Sequence, residues 1–487
     1  MMRPFDIPPT WRNFVDGCWV DGQSGQQLEI MDPALDAPLA QVALADERDI
    51  DVAMQSARKV VKSRAVSGMR PLVRGQMLIE MGRLLRARAE ETAQIICRDV
   101  GKRISEARGE ALAAARYFEY FGGAAAQIEG QFIPMGDGLT HYVIPEPYGV
   151  VAHIIPWNYP HLMVARSLAP ALAAGNANVI KAPELAPLSC YIFAELAMEV
   201  GFPAGAVNVL AGYGQHAGKA LAEHPDAGLI VFTGSVPTGQ AIMRAASLNI
   251  VPTVLELGGK SAAIVRPDAD IAMVVENVRM SIFENAGQVC DSLTRLVVEE
   301  PLYDDVIEAV KTMVEGLSIG PGWEDADISP LISGPHRGRV ADYCALGGRE
   351  GARLVTGGKT IDDRRGFFHE PTVFRDVTPD MRIHSEEIFG PVLSIMRARD
   401  LDDAIRQANA TKYGLAAGIF TGDLDSALWC AERLDAGQIH INEWALGGCE
   451  TPFGGTKQSG IGRERGREGL ASYSQSKAVG IRRRART

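Results

Sequence analysis

Short apolar runs alternate with longer helical patterns between Val150 and Leu257. The helical segments carry an apolar residue at every third or fourth position, whereas the short runs are apolar almost throughout. The strand-like runs are Val150–Ile155, Asn178–Lys181, Val207–Leu210, Gly228–Phe232 and Thr253–Leu257. The helix-like segments are His161–Ala174, Leu188–Val200, His216–Glu223 and Thr238–Ser247. This alternation predicts right-handed crossovers and a parallel sheet that helices cover on both faces.

The same rhythm restarts after Lys260 and predicts a second α/β domain of similar size. Its strand-like runs are Ala262–Val265, Thr294–Glu299, Arg353–Thr356, Val392–Met396, Ala416–Phe420 and Gln438–Ile441. Its helix-like segments are Ile271–Asn285, Asp304–Leu317, Asp402–Ala410 and Leu424–Leu434. Ahead of the first sheet, residues 47–125 also carry apolar residues at helical spacing, and we assign them to helices without chemistry.

Three segments depart from the α/β rhythm. Alternation in Trp11–Val20, with a turn at Asp21–Gly25, predicts a surface hairpin. Gln127–Ile144 predicts a second hairpin that leaves the helical body. The tail Ala471–Arg482 alternates weakly, and we expect it to form a strand added to the edge of a partner's sheet.

Composition narrows the class of protein. The chain has 487 residues and a formal charge of −11, which argues against a nucleic-acid partner. The one basic cluster, Arg482–Arg484 with Arg486, is interpreted as a solvated chain end. No apolar run approaches the about 18 residues that span a bilayer. The seven scattered cysteines form no metal-binding spacing, and with no export signal they favour a cytoplasmic protein without structural metal.

Polar side chains follow the predicted strands, where ligands of parallel sheets bind. Asn158 is either a turn residue or an amide donor for an oxyanion. Lys181 and Glu184 form either a surface ion pair or a donor and acceptor for a ribose. Glu256, next to two glycines, would act as a general base if partial burial raised its pKa.

One cysteine has neighbours suited to chemistry. Residues 283–292 read F-E-N-A-G-Q-V-C-D-S and place Cys290 after a helical run. A thiolate is a strong nucleophile, whereas an isolated cysteine is more often a small buried apolar residue. The turn F-T-G-S at 232–235 offers backbone N–H groups to a pyrophosphate, although it lacks the G-x-G-x-x-G fingerprint.

Eight motifs in order carry a resemblance over nearly the whole chain. They are P-W-N-Y-P at 156–160, K-A-P-E at 181–184, F-T-G-S at 232–235, L-E-L-G-G-K at 255–260, F-E-N-A-G-Q-V-C at 283–290, E-E-I-F-G-P at 386–391, P-F-G-G-T-K at 452–457 and S-G-I-G-R-E at 459–464. The chain resembles the NAD(P)-dependent, non-acylating aldehyde dehydrogenases. The resemblance implies a Rossmann-like NAD-binding domain (1–126 and 148–257), a catalytic domain (258–459) and a small β oligomerisation arm (127–147 and 471–487).

The resemblance also implies catalytic roles. Cys290 would form a thiohemiacetal and then a thioester, with Asn158 and the Cys290 backbone N–H holding the oxyanion. Glu256 would activate the hydrolytic water, and Glu464 would be a second proton carrier. A homodimer or homotetramer is expected.

The implied cofactor is NAD, because Glu184 should bind ribose hydroxyls and repel a 2′-phosphate; Lys181 could still tolerate NADP. The expected cofactor-binding residues are Ile154, Pro156, Trp157, Lys181, Glu184, Gly214, Phe232, Gly234, Ser235, Thr238, Leu257, Glu387 and Phe389. No metal is expected.

The substrate stays open between two chemistries. The resemblance places Tyr159, Met163, Arg166, Glu284, Val289, Asp291 and Trp444 along the aldehyde tunnel. Arg166 suggests an aldehyde with a distal carboxylate, whereas the acids Glu284 and Asp291 with Tyr159 and Trp444 would suit an amino or ammonium aldehyde.

Two alternatives to a hydrolytic aldehyde dehydrogenase remain at this point. A coenzyme A-acylating relative would use a thiol in place of water, which Glu256 argues against. A non-catalytic binding or structural protein on the same fold is the other alternative, because a fold does not fix a function.

Overall fold

The computed structural model describes residues 6–444 and 446–483. Arg484 and Arg486 of the basic chain end lie outside the described residues. Within the part of the chain that the structure describes, no helix is long and apolar enough to cross a membrane.

Strands and helices are numbered in chain order. The strands are β1 (Thr10–Trp11), β2 (Asn13–Val15), β3 (Cys18–Val20), β4 (Gln27–Asp32), β5 (Ala37–Ala43), β6 (Gln131–Pro134), β7 (Leu139–Pro147), β8 (Val150–Ile154), β9 (Ala177–Ala182), β10 (Val207–Ala211), β11 (Leu229–Gly234), β12 (Thr253–Leu257), β13 (Ser261–Val265), β14 (Leu293–Glu299), β15 (Arg353–Thr356), β16 (Thr372–Arg375), β17 (Val392–Ala398), β18 (Ala416–Phe420), β19 (Gln438–Ile441), β20 (Gly460–Ile461) and β21 (Ser474–Arg482). The α-helices are α1 (Glu47–Ser63), α2 (Pro71–Ala87), α3 (Ala89–Asp99), α4 (Ile104–Ala124), α5 (Pro160–Ala174), α6 (Ile192–Glu199), α7 (Lys219–Glu223), α8 (Val236–Ser247), α9 (Ile271–Ile282), α10 (Tyr303–Glu315), α11 (Gly334–Arg349), α12 (Arg382–Ser385), α13 (Leu401–Asn409), α14 (Leu424–Arg433) and α15 (Gly466–Ala471).

The first large sheet has eight strands in the order β20-β12-β11-β8-β9-β10-β2-β3. Its five central strands, β12 to β10 in that order, run parallel. Every residue of β8 and β9 is buried, as expected for strands that are covered on both faces. The predicted parallel sheet is confirmed.

The second large sheet has seven strands in the order β15-β16-β17-β14-β13-β18-β19. All of its neighbouring pairs are parallel except the antiparallel pair β15 and β16. It packs a hydrophobic core separate from the core of the first sheet. The predicted α/β class is therefore confirmed for both halves of the chain.

The C-terminal strand β21 pairs antiparallel with β7 of the same chain along its whole length, and β7 pairs with β6. The tail forms the expected strand, which joins the hairpin of its own chain as an edge strand, and its addition to a partner's sheet stays a prediction. The early hairpin differs from expectation: β2 and β3 turn at Asp16–Gly17, and β2 extends the first large sheet next to β10.

Candidate active site

A cavity of about 380 Å³ lies between the two large sheets. The carboxyl ends of β8, β11 and β12 face the segments that precede β14 and β17. The residues that line it are Pro156, Trp157, Asn158, Tyr159, Leu162, Met163, Arg166, Thr233, Gly234, Ser235, Glu256, Leu257, Gly258, Glu284, Val289, Cys290, Asp291, His336, Arg339, Glu387, Phe389, Phe453 and Arg465. The one cavity therefore collects most of the residues that the motifs singled out.

A strained turn places Cys290. Helix α9 ends at Ile282 rather than at the predicted Asn285, and Asn285 and Ala286 then take positive φ values of 46° and 53°. Gly287 follows at φ 74°, where an added Cβ would lie 2.2 Å from the Gly390 carbonyl oxygen. Such strain persists only where the surroundings hold it, and it commonly marks functional sites.

Asn158 is fixed against this turn. Its Nδ2 donates to the Gln288 carbonyl oxygen at 2.9 Å, and Asn285 Nδ2 donates to the Asn158 carbonyl oxygen at 3.1 Å. Because a carboxamide nitrogen carries two hydrogens, the second N–H of Asn158 remains for another acceptor. The side chain is buried, so its orientation is set by the protein rather than by solvent.

The Cys290 thiol is half-buried. Burial raises the pKa of Cys290 well above its ordinary value, and the negative charge of Asp291 raises it further, whereas the Arg166 guanidinium lowers it. The thiol form therefore dominates at neutral pH, and the thiolate becomes more populated as the pH rises.

Glu256 is 3% exposed, and neither of its carboxylate oxygens has a hydrogen-bond partner among the described residues. Burial raises the pKa of Glu256 well above its ordinary value; Arg166 opposes this shift and Glu464 adds to it. An added Cβ at Gly454 would lie 2.9 Å from Glu256 Oε1, so only glycine lets that loop pass so close. A buried carboxyl with this pKa direction is suited to proton transfer near neutral pH.

Arg166 lies between two carboxylates. Its Nη2 is 3.9 Å from Glu256 Oε2, and its Nε is in ion-pair contact with Glu464. Burial disfavours the charge, but Glu464 and Glu256 outweigh burial and raise the pKa of Arg166. The guanidinium is therefore a permanent cation that the protein's own acids already partner.

The turn after β11 packs tightly against the strands β11 and β12 beside the cavity. Ser235 is the N-cap of α8, and its hydroxyl accepts from the Thr238 N–H at 3.4 Å. An added Cβ at Gly234 would lie 2.5 Å from the Phe232 ring, and one at Gly239 would lie 2.7 Å from Leu257. These glycines bring the start of the helix close to the sheet and leave its first N–H groups facing the crevice.

Lys181 and Glu184 form a pair at the end of β9. Lys181 Nζ lies 2.6 Å from Glu184 Oε2. Burial opposes ionisation of Glu184, but the charge of Lys181 and hydrogen bonds to the carboxylate, one of them from the Gly214 N–H, lower its pKa. A fixed carboxylate beside a fixed ammonium is a donor and acceptor pair of the kind that binds a diol.

Glu387 and Phe389 form the opposite end of the cavity. Glu387 Oε1 accepts from the Gly259 N–H at 3.0 Å, and burial raises its pKa to about 7. Phe389 has a positive φ of 64°, and its ring meets the Trp157 ring edge-on at 5.4 Å. His336 Nε2 is hydrogen-bonded to the Phe389 carbonyl oxygen at 2.7 Å, which holds this aromatic end in place.

Comparison with known proteins decides the family. The family model described as "Aldehyde dehydrogenase family" matches residues 19–479. The chain is 41% identical to an aldehyde dehydrogenase of Aspergillus niger over 96% of this chain and 94% of that protein, and 41% identical to a hydroxyisobutyraldehyde dehydrogenase of Mycolicibacterium austroafricanum over 96% and 93%. The chain belongs to the aldehyde dehydrogenase family.

A solved structure agrees with this assignment. Betaine aldehyde dehydrogenase from Staphylococcus aureus in complex with NAD+ is 34% identical, matches over 98% of this chain and 95% of that chain, and has a TM-score of 0.95. The motif-based prediction of the aldehyde dehydrogenase family and of its fold is thereby confirmed.

The expected residues of this family member differ in their location. Ile154 and Phe232 are buried strand residues that face each other across β8 and β11, beneath the cavity. Lys181, Glu184 and Gly214 form a cluster of their own, whereas Glu464 lies behind Arg166. The remaining expected residues line the cavity, apart from Thr238 in the α8 turn and Trp444.

Trp444 is not among the lining residues. It is 7% exposed and packs in the core of the second sheet, and its Nε1 donates to the Asp291 carbonyl oxygen at 3.0 Å. An added Cβ on Gly418 would lie 3.1 Å from its ring, so the indole fills the space above β18. Trp444 therefore supports the nucleophile turn from behind, and its expected contact with the aldehyde stays a prediction.

Glu284, one of the acids that line the cavity, has its partners within the protein. The Tyr159 hydroxyl donates to Glu284 at 2.6 Å, and Lys102 Nζ lies 3.2 Å from the centre of the Tyr159 ring. Burial raises the pKa of Glu284, whereas the hydrogen bond from Tyr159 and the charge of Lys102 lower it. The buried Lys102 itself lies 2.5 Å from Glu110.

Sequence reasoning missed some lining residues, among them His336, Arg339, Phe453 and Arg465. Phe453 and Arg465 belong to or follow motifs that were recognised, at 452–457 and 459–464, so proximity to a motif was the available signal. His336 and Arg339 lie on α11, whose weak apolar pattern gave no signal.

Proposed function

We propose that this protein oxidises an aldehyde to its carboxylic acid, with NAD as acceptor, through a thioester on Cys290 that water hydrolyses with Glu256 as base. The observation that carries the proposal is that Cys290, Asn158 and Glu256 line one cavity together with residues suited to a dinucleotide. A nucleophile, an amide donor and a buried carboxyl in one cleft form a complete site for acyl chemistry.

The residues present fit NAD. The glycine turn at Gly234–Ser235 opens α8 towards the crevice, where a pyrophosphate would meet backbone N–H groups. Lys181 and Glu184 would bind the adenine ribose, and Glu387 with Phe389 would hold the nicotinamide end. NAD, when bound, supplies the acceptor for the hydride that leaves the aldehyde carbon. The ionised Glu184 disfavours a 2′-phosphate, although Lys181 would allow some use of NADP.

Cys290 would act as the nucleophile. Its thiolate sulfur attacks the aldehyde carbon, and the carbonyl oxygen gains charge as the thiohemiacetal forms. The unused N–H of Asn158 and the backbone N–H of Cys290 would stabilise that oxygen. Loss of one such donor typically costs about 100-fold or more in rate.

Glu256 would then act on the thioester. As the carboxylate it takes a proton from water, whose oxygen attacks the thioester carbon and releases the acid and the Cys290 sulfur. Arg166 balances part of the charge on Glu256 and holds Glu464 behind it. Glu464, which contacts the same Arg166, would be the second proton carrier.

The substrate half of the cavity supports a polar aldehyde. Its walls carry Arg166, Glu256, Glu284, Asp291 and Arg465, and an alkyl chain would desolvate these charges without replacing their contacts. The semialdehyde and amino-aldehyde classes are thus favoured over long aliphatic aldehydes.

Exposed apolar residues on the three-stranded sheet support assembly into a dimer or tetramer. Phe132, Ile133, Ile144 and Ile481 are exposed on β6, β7 and β21, and Phe132 is 66% exposed. Large exposed apolar residues on one sheet are typical of an interface between subunits.

The two separate hydrophobic cores support a boundary near residue 257 between the cofactor and catalytic domains. The seven free thiols support a reducing compartment such as the cytoplasm.

The deciding experiment is NADH formation with a panel of semialdehydes, amino aldehydes, aromatic and aliphatic aldehydes, each with and without coenzyme A. We expect NADH and free acid without coenzyme A. A requirement for coenzyme A would support the acylating alternative, and absence of NADH with every aldehyde would support the non-catalytic one. Cys290→Ala should abolish oxidation while NAD affinity stays within about twofold, since the thiol is not among the proposed ribose or pyrophosphate contacts.

A further inference from the structure

Arg465 is a cation in the substrate half of the cavity that the proposed mechanism does not use. It lines the cavity, and its guanidinium carbon lies 4.4 Å from the centre of the Phe453 ring. Its Nε is buried without a hydrogen-bond partner. Across residues 6–444 and 446–483, no carboxylate forms an ion pair with Arg465. Among the described residues the guanidinium therefore has no carboxylate in ion-pair contact, although its charge reaches Glu256 and lowers the pKa of that carboxyl.

The other two guanidinium groups that line the cavity already have partners within the protein. Arg166 contacts Glu464 and Glu256, and Arg339 donates to the Glu387 carbonyl oxygen at 2.9 Å at the cofactor end. Arg166, which the sequence suggested as the residue that binds a substrate carboxylate, thus already contacts two carboxylates of the protein. Arg465 is also a guanidinium, and no carboxylate of the described residues forms an ion pair with it.

The aromatic faces argue against a cationic substrate. An ammonium group would need an open ring, but Lys102 Nζ already lies over Tyr159 at 3.2 Å. Phe453 is contacted by Arg166 at 4.1 Å and by Arg465 at 4.4 Å. Lys102 does not itself line the cavity, but cations of the protein lie at both aromatic rings of the substrate half, and their charge disfavours a further cation there.

The acids of the cavity lie on other segments. Glu284 is held by the Tyr159 hydroxyl, and Asp291 follows the nucleophile directly. They would repel a negatively charged tail, whereas the segment that carries Phe453 and Arg465 would attract it. A planar guanidinium with several N–H donors matches a carboxylate in shape as well as in charge.

We propose that the substrate is an aldehyde with a distal carboxylate, and that Arg465 binds this carboxylate and selects the substrate. The inference rests on the proposed function, because the aldehyde end must still reach Cys290. The product is then a dicarboxylic acid. Arg465 contributes affinity and selectivity and takes no part in bond formation.

The test compares matched pairs of acid and neutral ester. Succinic semialdehyde is paired with its methyl ester, and 4-carboxybenzaldehyde with methyl 4-formylbenzoate. We expect the wild-type enzyme to favour at least one acid over its ester in kcat/KM. Arg465→Leu should lower that acid-to-ester ratio by about 10- to 100-fold, the loss typical of one charged hydrogen-bonded contact. Arg465→Lys should restore part of the ratio.

Arg467→Leu is the matched control. Arg467 lies two residues after Arg465, is exposed and does not line the cavity, so the variant removes an equal charge outside the site. It should leave the acid-to-ester ratio at the wild-type value. If Arg465→Leu lowers the rates for acid and ester equally, the residue acts through Glu256 and the proposal is overturned. An absence of acid preference in the wild-type enzyme with both pairs also overturns it.

A binding measurement separates this inference from the proposed function. Succinate and terephthalate, the products expected from the two acids, are titrated by calorimetry into wild type and Arg465→Leu. If no aldehyde is oxidised but a dicarboxylate binds about 10-fold or more tightly to wild type, the proposed function fails and the anion site stands. If aldehydes are oxidised but neither the ratio nor the binding depends on Arg465, only the anion site fails.

Discussion

Arg166 Nη2 lies 3.9 Å from Glu256 Oε2 in a region from which solvent is nearly excluded. The same guanidinium contacts Glu464 through its Nε, so a single cation serves two buried carboxylates. Removing one member of such a buried group leaves the remaining charges uncompensated, which is costly. This relationship makes Arg166 part of the charge balance of the site rather than a free contact for substrate.

Arg166→Leu should therefore damage oxidation of acidic and neutral aldehydes to the same extent. The unpaired Glu256 and Glu464 should also lower the free energy of unfolding by about 3–5 kcal/mol, as is typical of broken buried ion pairs. Urea unfolding and kcat/KM for the acid and ester pairs measure both effects. Arg465→Leu is the comparison, with an effect confined to acids. Loss confined to acids in Arg166→Leu would contradict this account.

Glu256→Gln should block hydrolysis of the thioester and spare the earlier formation of the thioester and NADH. We expect a burst of NADH that matches the number of active sites, followed by turnover lowered by about 10²- to 10⁴-fold, the contribution typical of a general base. The thioester should then accumulate and appear by mass spectrometry as an adduct on Cys290. Glu468→Gln, an exposed acid nearby, is the control and should turn over normally. A variant that loses the burst as well would show that Glu256 acts before the thioester forms.

Local patterns were enough to predict the two sheets. Strands such as β8 and β9 are rich in apolar residues, and turn residues follow them directly. The helix α11 was missed, since its sequence carries several glycines and arginines and only Val340, Cys344 and Gly347 are buried. A helix with so narrow an apolar stripe shows little periodicity in a single sequence.

Contacts between distant segments could not be predicted in the same way. Arg166 and Glu464 are 298 positions apart and meet only when the loop that carries Phe453 folds over α5. The positive φ of Ala286 was equally hidden, because alanine gives no sign of a left-handed backbone. The family resemblance named the motif residues, but the charge balance among them came from the tertiary structure.

Glu184→Ala should shift coenzyme preference towards NADP. Lys181 Nζ, 2.6 Å from Glu184 in the native pair, would become available to a 2′-phosphate, and the repelling carboxylate would be gone. We expect the ratio of kcat/KM for NADP to that for NAD to rise by about 10-fold or more. Lys181→Met is the opposite variant and should weaken NADP use most. An unchanged ratio in Glu184→Ala would mean that the pair does not contact the adenine ribose.

Asp291→Asn should move the pH dependence of the nucleophile to lower pH. The raised pKa of Cys290 comes first from burial and next from the negative charge of Asp291. Because the thiolate forms as the pH rises through this pKa, activity should rise with pH, and removal of the charge should bring that rise to a lower pH. Arg166→Leu removes a cation that lowers the same pKa and should move the rise to higher pH.

The pH shift is measured as kcat/KM and as the rate of Cys290 alkylation by iodoacetamide, from about pH 6 to about pH 9. The alkylation is carried out in a Cys18→Ser background, because Cys18 is exposed whereas the other five cysteines are buried. Asp425→Asn, at an exposed position on α14, removes an equal charge away from the cavity and should leave both profiles in place. If Asp291→Asn leaves the alkylation profile unchanged, the carboxylate is screened from the sulfur and its role is confined to packing beside Trp444. Since alkylation needs neither aldehyde nor cofactor, this result tests the electrostatics of Cys290 independently of the substrate.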